Sequence, residues 1–487
     1  MTEPTKVELK PLPVIKEKDC VTTEQVKKPE DKTEEKTTDK WLEEPKVIWY
    51  IGDCLESQGF VGDTKNKINS YLNLTTKDYK QRERISAIAN AESGAGKSTI
   101  CIEIAKRYFE KYVFEFTRVT KTALDHCKAM LPEGKFDGII LIIRQMEGAE
   151  DAQYQLQMIT DDTSGGGLKI LISKQATGGD WTVDDVFIPG IPVTVVTTVN
   201  IKIDPQTVRR FETIAPDDSS GQTHKIKFHK ANIRANPDYE TQITRKCDFL
   251  LELPNLLKDE SSKLWVVIPY AHTVADEIPD VLLARSDTDK VFNKITACAH
   301  LFYKQRLTYK DSQGKMRIVA SPADWYYAWQ LFGDTLSRRL SGIIDERGFT
   351  YLRIIQGLCM KSKDGWVHFQ EIMDAVHKEG KACQRNTLHQ AIYELEDGGY
   401  IRKDVDPDNK AKRIYNITSK TYVPFGISFP NELVENSYLD FVKDKLGEEL
   451  DTDKWNLLRQ SMRVFDLETG NELTNIVTER ARKMLKL

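Results

Sequence analysis

A chain of 487 residues is too long for one ordinary core, and its hydrophobic fraction of 40% is ample for two or three. The formal net charge of −4 excludes a global polyanion-binding character, so any contact with nucleic acid must be a local patch. No stretch approaches the roughly eighteen apolar residues of a spanning helix, and the chain starts rich in lysine and glutamate.

Neither a membrane span nor a secretory signal is therefore expected, and the expected location is cytoplasmic (with the nucleoid in a prokaryotic host). The eight cysteines, Cys20, Cys54, Cys101, Cys127, Cys247, Cys298, Cys359 and Cys383, include no CxxC pair. They read as reduced, mostly buried thiols, with no disulfide framework and no zinc cluster.

Residues 1–40 mix Lys, Glu, Thr and Pro without an apolar period, and are expected to be a disordered, solubilising tail. Residues 41–80 form a helical lead-in, with helices over Val47–Leu55 and Thr64–Leu72. Over 81–252, short apolar strands alternate with amphipathic helices, the pattern of an α/β core. Its strand candidates are Ile85–Ala89, Gly138–Ile143 and Val193–Thr198. Glycine clusters at 165–167 and 178–179 bracket the runs Leu168–Ser173 and Trp181–Ile188, which predicts a β-hairpin inserted ahead of the last core strand. Residues 253–345 read as a mostly helical unit, clearest over Asp289–Leu307.

From 346 to 420 the spacing predicts helices over Tyr351–Cys359, Phe369–His377 and Arg385–Leu395, then strands Tyr400–Val405 and Arg413–Ile417. Three helices and a hairpin make a winged-helix pattern. Residues 421–487 read as a helical tail.

Ala91-Glu92-Ser93-Gly94-Ala95-Gly96-Lys97-Ser98, followed by Thr99, has the form [AG]xxxxGK[ST], with alanine in place of the usual first glycine. A strand precedes it and a helix over Thr99–Tyr112 follows. Gly94 and Gly96 let backbone N–H groups turn toward phosphate at the positive end of the helix. Lys97 would reach the β- and γ-phosphates of ATP, and the Ser98 hydroxyl would ligate Mg²⁺. A P-loop ATPase also needs carboxylates after a second buried strand, but here that strand is followed by Arg144-Gln145. The nearest acids are Glu147, Glu150 and Asp151. Glu147 either reaches the site or only caps the next helix, so hydrolysis is less securely implied than binding.

Several segments, in order, resemble the AAA+ core of minichromosome-maintenance (MCM) helicases. These are Val196–Asn200 (VTTVN), Val208-Arg209-Arg210-Phe211 and the hairpin ahead of that strand. The succession of 59–62 (GFVG), 188–190 (IPG), 197–198 (TT), 221–223 (GQT), 267–271 (VIPYA) and 304–306 (KQR) is similar to MCM-like ATPases. Those are encoded with, or fused to, bacterial-type zinc-finger DNA primases on mobile elements. The likeness covers roughly residues 45 to 340.

The resemblance implies Asn200 (or its neighbour Thr198) as a sensor orienting the attacking water. It also implies Arg210 as a finger reaching a neighbouring subunit of a ring, a hexamer in that family, and Arg285 as a second sensor. Surface ion pairs are the alternative for both arginines. By the same resemblance Lys174, near the hairpin tip, would touch DNA in the pore, with Lys169 behind it; a solvated turn lysine is the other option.

In the winged-helix pattern, Gln384, Arg385, Asn386, His389 and Gln390 occupy the start and exposed face of the third helix, where base edges and phosphates are contacted. Lys410, Lys412 and Arg413 sit at the wing, suited to phosphates. Leu388, Ile392 and Leu395 form the core side, and Trp366, Tyr393 and Tyr400 are expected in the core. Together these expectations describe a ring-forming AAA+ DNA helicase or translocase in replication, partnered by DNA and by a primase or other replication protein. The alternatives are an ATP-switched DNA-binding initiator or loader, and a signalling ATPase whose winged helix binds protein.

Overall fold

The first half of the chain supplies strands β1 (Ala87–Asn90), β2 (Val113–Phe116), β3 (Ile140–Ile143), β4 (Gly167–Gln175), β5 (Trp181–Pro189), β6 (Val193–Thr198) and β7 (Glu212–Ile214). The structure is a computed structural model. It describes residues 38–90, 96–117, 124–144, 152–160, 166–175, 181–198, 205–244, 247–279, 283–340, 346–378, 385–397, 399–407, 409, 412–418, 429–447 and 450–485. The charged segment 1–37 lies outside them.

Five of these strands form one sheet in the order β2-β3-β6-β1-β7, every pairing parallel. Every residue of β3 and β6 is buried, as expected where helices cover both faces of a parallel sheet. The apolar run of β3 and the unbroken β-branched run of β6 made both strands readable. β2 and β7 went unread: β2 is a half-buried edge strand of four residues, and β7 has three residues beginning on a glutamate. Glu212 can be buried only because Lys294, also buried, reaches it at 2.9 Å while Asn69 donates to its other oxygen. That compensation comes from distant sequence.

β4 and β5 pair antiparallel over their full length and join no other sheet. The predicted hairpin is therefore present between β3 and β6. The helix expected after the phosphate loop comes in three pieces: a π-helical turn over Ser98–Glu103, an α-helix over Ile104–Phe109 and a 3₁₀ turn over Glu110–Tyr112. The lead-in helices extend over Val47–Ser57 and Thr64–Thr75.

Residues past 253 hold more than helices. Strands β8 (Trp265–Val267), β9 (Thr308–Lys310) and β10 (Met316–Val319) form a small sheet in the order β8-β10-β9, packed with helices Ala284–Leu301 and Pro322–Leu340. The helix expected over Asp289–Leu307 starts and stops earlier. After it, a 3₁₀ turn (Tyr303–Gln305) aims the Gln305 amide at the carbonyls of Leu42 (2.8 Å) and Glu44 (2.9 Å). Side chains from beyond 429, including Tyr438, Val442 and Leu458, share the core of this region with Val291, Ile295 and Trp325.

Helices Glu346–Lys361, Phe369–Lys378 and Arg385–Asp397 enclose a separate core with β11 (Val367–His368), β12 (Ile401–Val405) and β13 (Arg413–Ile417). These strands pair antiparallel in the order β11-β13-β12. Leu388, Ile392 and Leu395 face inward as expected.

One buried group makes the fold acid-sensitive. His300 is fully buried against the Tyr79 ring (centroids 4.4 Å apart), and neither ring nitrogen has a hydrogen-bond partner among the described residues. Burial pushes its pKa from the ordinary 6.5 down to about 3. Between those values the unfolded chain holds the extra proton, so stability falls as pH drops from 6.5 toward 3, by roughly 1.4 kcal/mol per pH unit from this group. His300→Phe should flatten that slope in urea unfolding at pH 5 and 7; an unchanged slope would rule His300 out as its source.

Candidate phosphate-binding site

Because the sheet is all parallel, the carboxyl ends of its strands open on one edge, where ligands bind in such sheets. β1 lies inside that edge and runs into the phosphate-loop sequence. Of that loop, Glu92, Ser93, Gly94 and Ala95 lie outside the described residues. Gly96 follows with φ of +86°, a left-handed value that glycine adopts without strain. Lys97 is 7% exposed at the first helical position, while Ser98 and Thr99 face solvent. A buried lysine beside the open N–H groups of a starting helix suits a polyphosphate, and an exposed serine hydroxyl next to it suits Mg²⁺.

Register shows what else reaches this edge. Asn90 of β1 lies opposite Thr198 of β6, and Ile143 of β3 opposite Val196. The chain leaving β6 therefore emerges between the ends of β1 and β3. Thr198 is buried there, and its Oγ1 has no hydrogen-bond partner among the described residues. Asn200 lies outside them, as do Gln145, Glu147, Glu150 and Asp151.

Arg144 is placed at the end of β3. Its N–H donates to the Phe116 carbonyl (3.0 Å), its own carbonyl accepts from Thr197 Oγ1 (2.5 Å), and its guanidinium pairs with Glu115. Hydrogen bonding to Arg144 holds the Glu115 carboxyl below the ordinary carboxylate range, with Lys106 (3.1 Å) assisting. The position where a motor would place an acid thus carries a neutralised cation. The sequence did not reveal Glu115, because its strand was not read. A cleft of about 730 Å³ beside the helix is lined by Phe60, Thr99, Lys106, Arg107 and Glu115 among others. Among the described residues it meets the phosphate loop at Thr99 and extends along the helix past Glu103, Lys106 and Arg107.

Two of the segments behind the resemblance meet in space. Gly62, at φ +66°, lies against the Gln222 side chain, which fills the place a Cβ would take. Gln222 Nε2 donates to the Val61 carbonyl (2.7 Å), and the Gly62 N–H donates to Glu56 (2.8 Å). Asp63 accepts from the Asp217 N–H (2.9 Å), just past β7. Other quoted residues are architectural: Tyr270 donates to the Ser321 carbonyl (2.6 Å), and Arg306 makes a buried two-point pair with Asp324 (2.8 and 2.6 Å).

Arg210 ends helix Pro205–Arg210 and is half-buried. The carbonyl of the next residue, buried Phe211, accepts from Lys290 Nζ (2.8 Å) and Arg339 Nη1 (3.2 Å). Asp287 lies between those cations, 3.0 Å from each. Desolvation, with Arg339 adding to it, lowers the Lys290 pKa to about 8. This buried trio ties the end of the Arg210 helix to helices Ala284–Leu301 and Pro322–Leu340. Sequence reasoning missed it; the only hint was an acid and a lysine three apart on the helix face that carries Val291 and Ile295. Arg285, on the first turn of helix Ala284–Leu301, is exposed.

Lys174 pairs in register with Thr182, one step from the end of the β4–β5 ladder; Lys169 is ion-paired with Asp185 (3.6 Å). On helix Arg385–Asp397, Arg385, Asn386, His389 and Gln390 are exposed. His389 stacks on Phe369 (3.9 Å, 11°), so one ring face is already occupied. Tyr393 corrects an expectation: placed in the core by its apolar ring, it is 60% exposed, one turn beyond His389. Trp366 is half-buried under Arg402, and Tyr400 is buried. Lys412 and Arg413 are exposed at the β12–β13 connection; Lys410 and Gln384 lie outside the described residues. The described cysteines are all buried, no metal-ligand cluster occurs among the described residues, and no described helix is long and apolar enough to cross a membrane.

With this geometry in place, comparison with known proteins defines the class: residues 31–243 match the family model of the MTBMA_p00010 P-loop domain. The chain thus carries a nucleotide-binding P-loop α/β domain. No curated protein matches it. A full-length MCM homolog from Methanopyrus kandleri is similar at 13% identity and a TM-score of 0.36, with 62% of each chain covered. The Aeropyrum pernix ORC1 protein, solved in complex with DNA, is similar at 12% identity and a TM-score of 0.18, covering 75% of this chain and 89% of that one. The chain spans less than two thirds of the Methanopyrus structure, and scores this low do not define a shared architecture.

Proposed function

We propose that this chain is a ring-forming AAA+ ATPase that binds ATP and Mg²⁺ at Glu92–Thr99 and acts on DNA as a helicase or translocase in replication. The observation that carries this reading is the strand order β2-β3-β6-β1-β7, with the phosphate loop on β1 and β6 inserted between it and β3. In this reading the end of β6, which lies between β1 and β3, faces the γ-phosphate, and a sensor at Asn200 or Thr198 acts there. The β4–β5 hairpin runs directly on in sequence, through residues 190–192, into the sensor strand. A small shift at the nucleotide could then move Lys174 against a DNA backbone.

In this reading Lys97 neutralises phosphate charge, Ser98 holds Mg²⁺ and Glu147 takes the proton from the attacking water. Arg210 and Arg285 act as finger and second sensor. Residues 41–80 lead into an ATPase core at 81–252, followed by a lid at 253–345. Residues 346–420 form a winged helix contacting DNA through Arg385, Asn386, His389, Lys410, Lys412 and Arg413, and 421–487 form the tail. The assembly is a cytoplasmic hexamer working beside a primase or other replication protein.

A second reading, an ATP-switched initiator with little turnover, is favoured by the Arg144–Glu115 pair at the acidic position.

The ring has a direct test. Arg210→Ala and Lys97→Ala subunits should each be inactive alone, yet regain part of the hydrolysis when mixed, because some interfaces then pair an intact loop with an intact finger. Mixtures as inactive as their components would contradict a finger shared between subunits.

A further inference from the structure

The helix Ser220–Ala235 leaves the site edge just past β7 and stands largely in solvent. Ser219 caps it by accepting from the Gln222 N–H (3.2 Å), and Gln222 is its one buried residue. Ile226, His229 and Ile233 are half-buried and, with Gln222, mark the inner face at helical spacing. Lys225, Lys227, Lys230 and Arg234 are exposed, and none of them pairs with a carboxylate among the described residues. No Asp or Glu occurs from 220 to 235, in a chain whose 74 acids outnumber its 70 Lys and Arg. The overall charge therefore does not explain this concentration of cations.

The cations are also arranged. Lys227, Lys230 and Arg234 are three and four residues apart and form one stripe about 10 Å long. On another flank, the rings of His224 and Phe228 lie one turn apart with centroids 4.2 Å apart and planes tilted by 34°, and Phe228 is 57% exposed. An amphipathic membrane helix would turn its isoleucines outward, but Ile226 and Ile233 turn inward. A basic stripe beside an exposed aromatic pair is the chemistry that holds single-stranded nucleic acid: phosphates on the cations and a base on the ring. The helix start is also fixed to the edge of the nucleotide site through Gln222, Val61 and Gly62.

We propose that the exposed faces of helix Ser220–Ala235 are a single-stranded DNA contact on the P-loop domain itself, separate from the hairpin and from residues 346–420. This inference rests on the DNA-dependent reading above and adds to it a site.

The test uses full-length protein and a fluorescein-labelled oligothymidylate, with anisotropy measured across a salt series. Lys227→Gln/Lys230→Gln/Arg234→Gln should lower the slope of log affinity against log salt by about two units, because three cations no longer meet phosphates. Phe228→Ala should weaken binding about tenfold at fixed salt. Nucleotide affinity should be unchanged in both variants, confirming that they fold. Parental slope and affinity in variants of a DNA-binding parent would overturn this inference while leaving the motor reading intact. A parent that binds no DNA would overturn both. A changed oligomeric size with unchanged DNA binding would also overturn it, making the helix an interface between copies.

Discussion

Lys97→Ala is expected to remove nucleotide binding and leave the fold in place. Lys97 is nearly buried at the first position of the helix that follows Gly96, where its ammonium would face two phosphate groups. Removing two charge-assisted hydrogen bonds from a site shielded from water costs about 3–6 kcal/mol in all, or a factor of 100 or more in affinity. Alanine is the best helix former, so the helix itself should persist. Equilibrium titration with a fluorescent ATP analogue measures the loss, and an unchanged melting temperature without nucleotide confirms the fold. Parental affinity in the variant would contradict the placement of phosphate on this loop.

The largest expected effect on stability comes from Asp287→Ala. Asp287 is fully buried between Lys290 and Arg339, and it is what allows two cations to converge on the Phe211 carbonyl. Without it, two like charges remain in a space that excludes water, at an expected cost of about 3–5 kcal/mol. Replacing all three together, as Asp287→Leu/Lys290→Met/Arg339→Met, should recover most of that loss, because no unpaired charge is then buried. Denaturant unfolding measures both variants. A loss below about 1 kcal/mol for Asp287→Ala would mean that water reaches the trio. For the proposed ring with Arg210 as its finger, hydrolysis should fall in the triple variant even where stability returns, since the end of the Arg210 helix is no longer held.

How much of the fold was legible follows from where each signal lies. The run at 140–143 is apolar on both faces and that at 193–198 is all valine and threonine, β-branched throughout, so two central strands could be read directly. The glycine clusters bracketed the β4–β5 hairpin to within a residue or two. The phosphate loop was legible because its chemistry fixes residue types at fixed spacing. β2 and β7 are short and carry glutamates, whose main partners, Arg144 and Lys294, lie dozens of residues away or more. The β8-β10-β9 sheet was hidden for a related reason, as β8 pairs with a strand about fifty residues later. Tyr393 shows the limit of composition: an aromatic ring on an amphipathic helix reads as core until the packing shows which face it takes. Within the site, Lys97 and Ser98 could be named from sequence, whereas the Asp287 trio required three chain segments to be seen together.

Steady-state ATP hydrolysis by the full chain, with and without single-stranded DNA, separates a motor from a switch in one measurement. A DNA-dependent motor predicts turnover that rises several-fold when DNA is added and vanishes in Lys97→Ala, despite Arg144 at the end of β3. ATP binding with no turnover under either condition would contradict the motor and leave the nucleotide as an assembly switch.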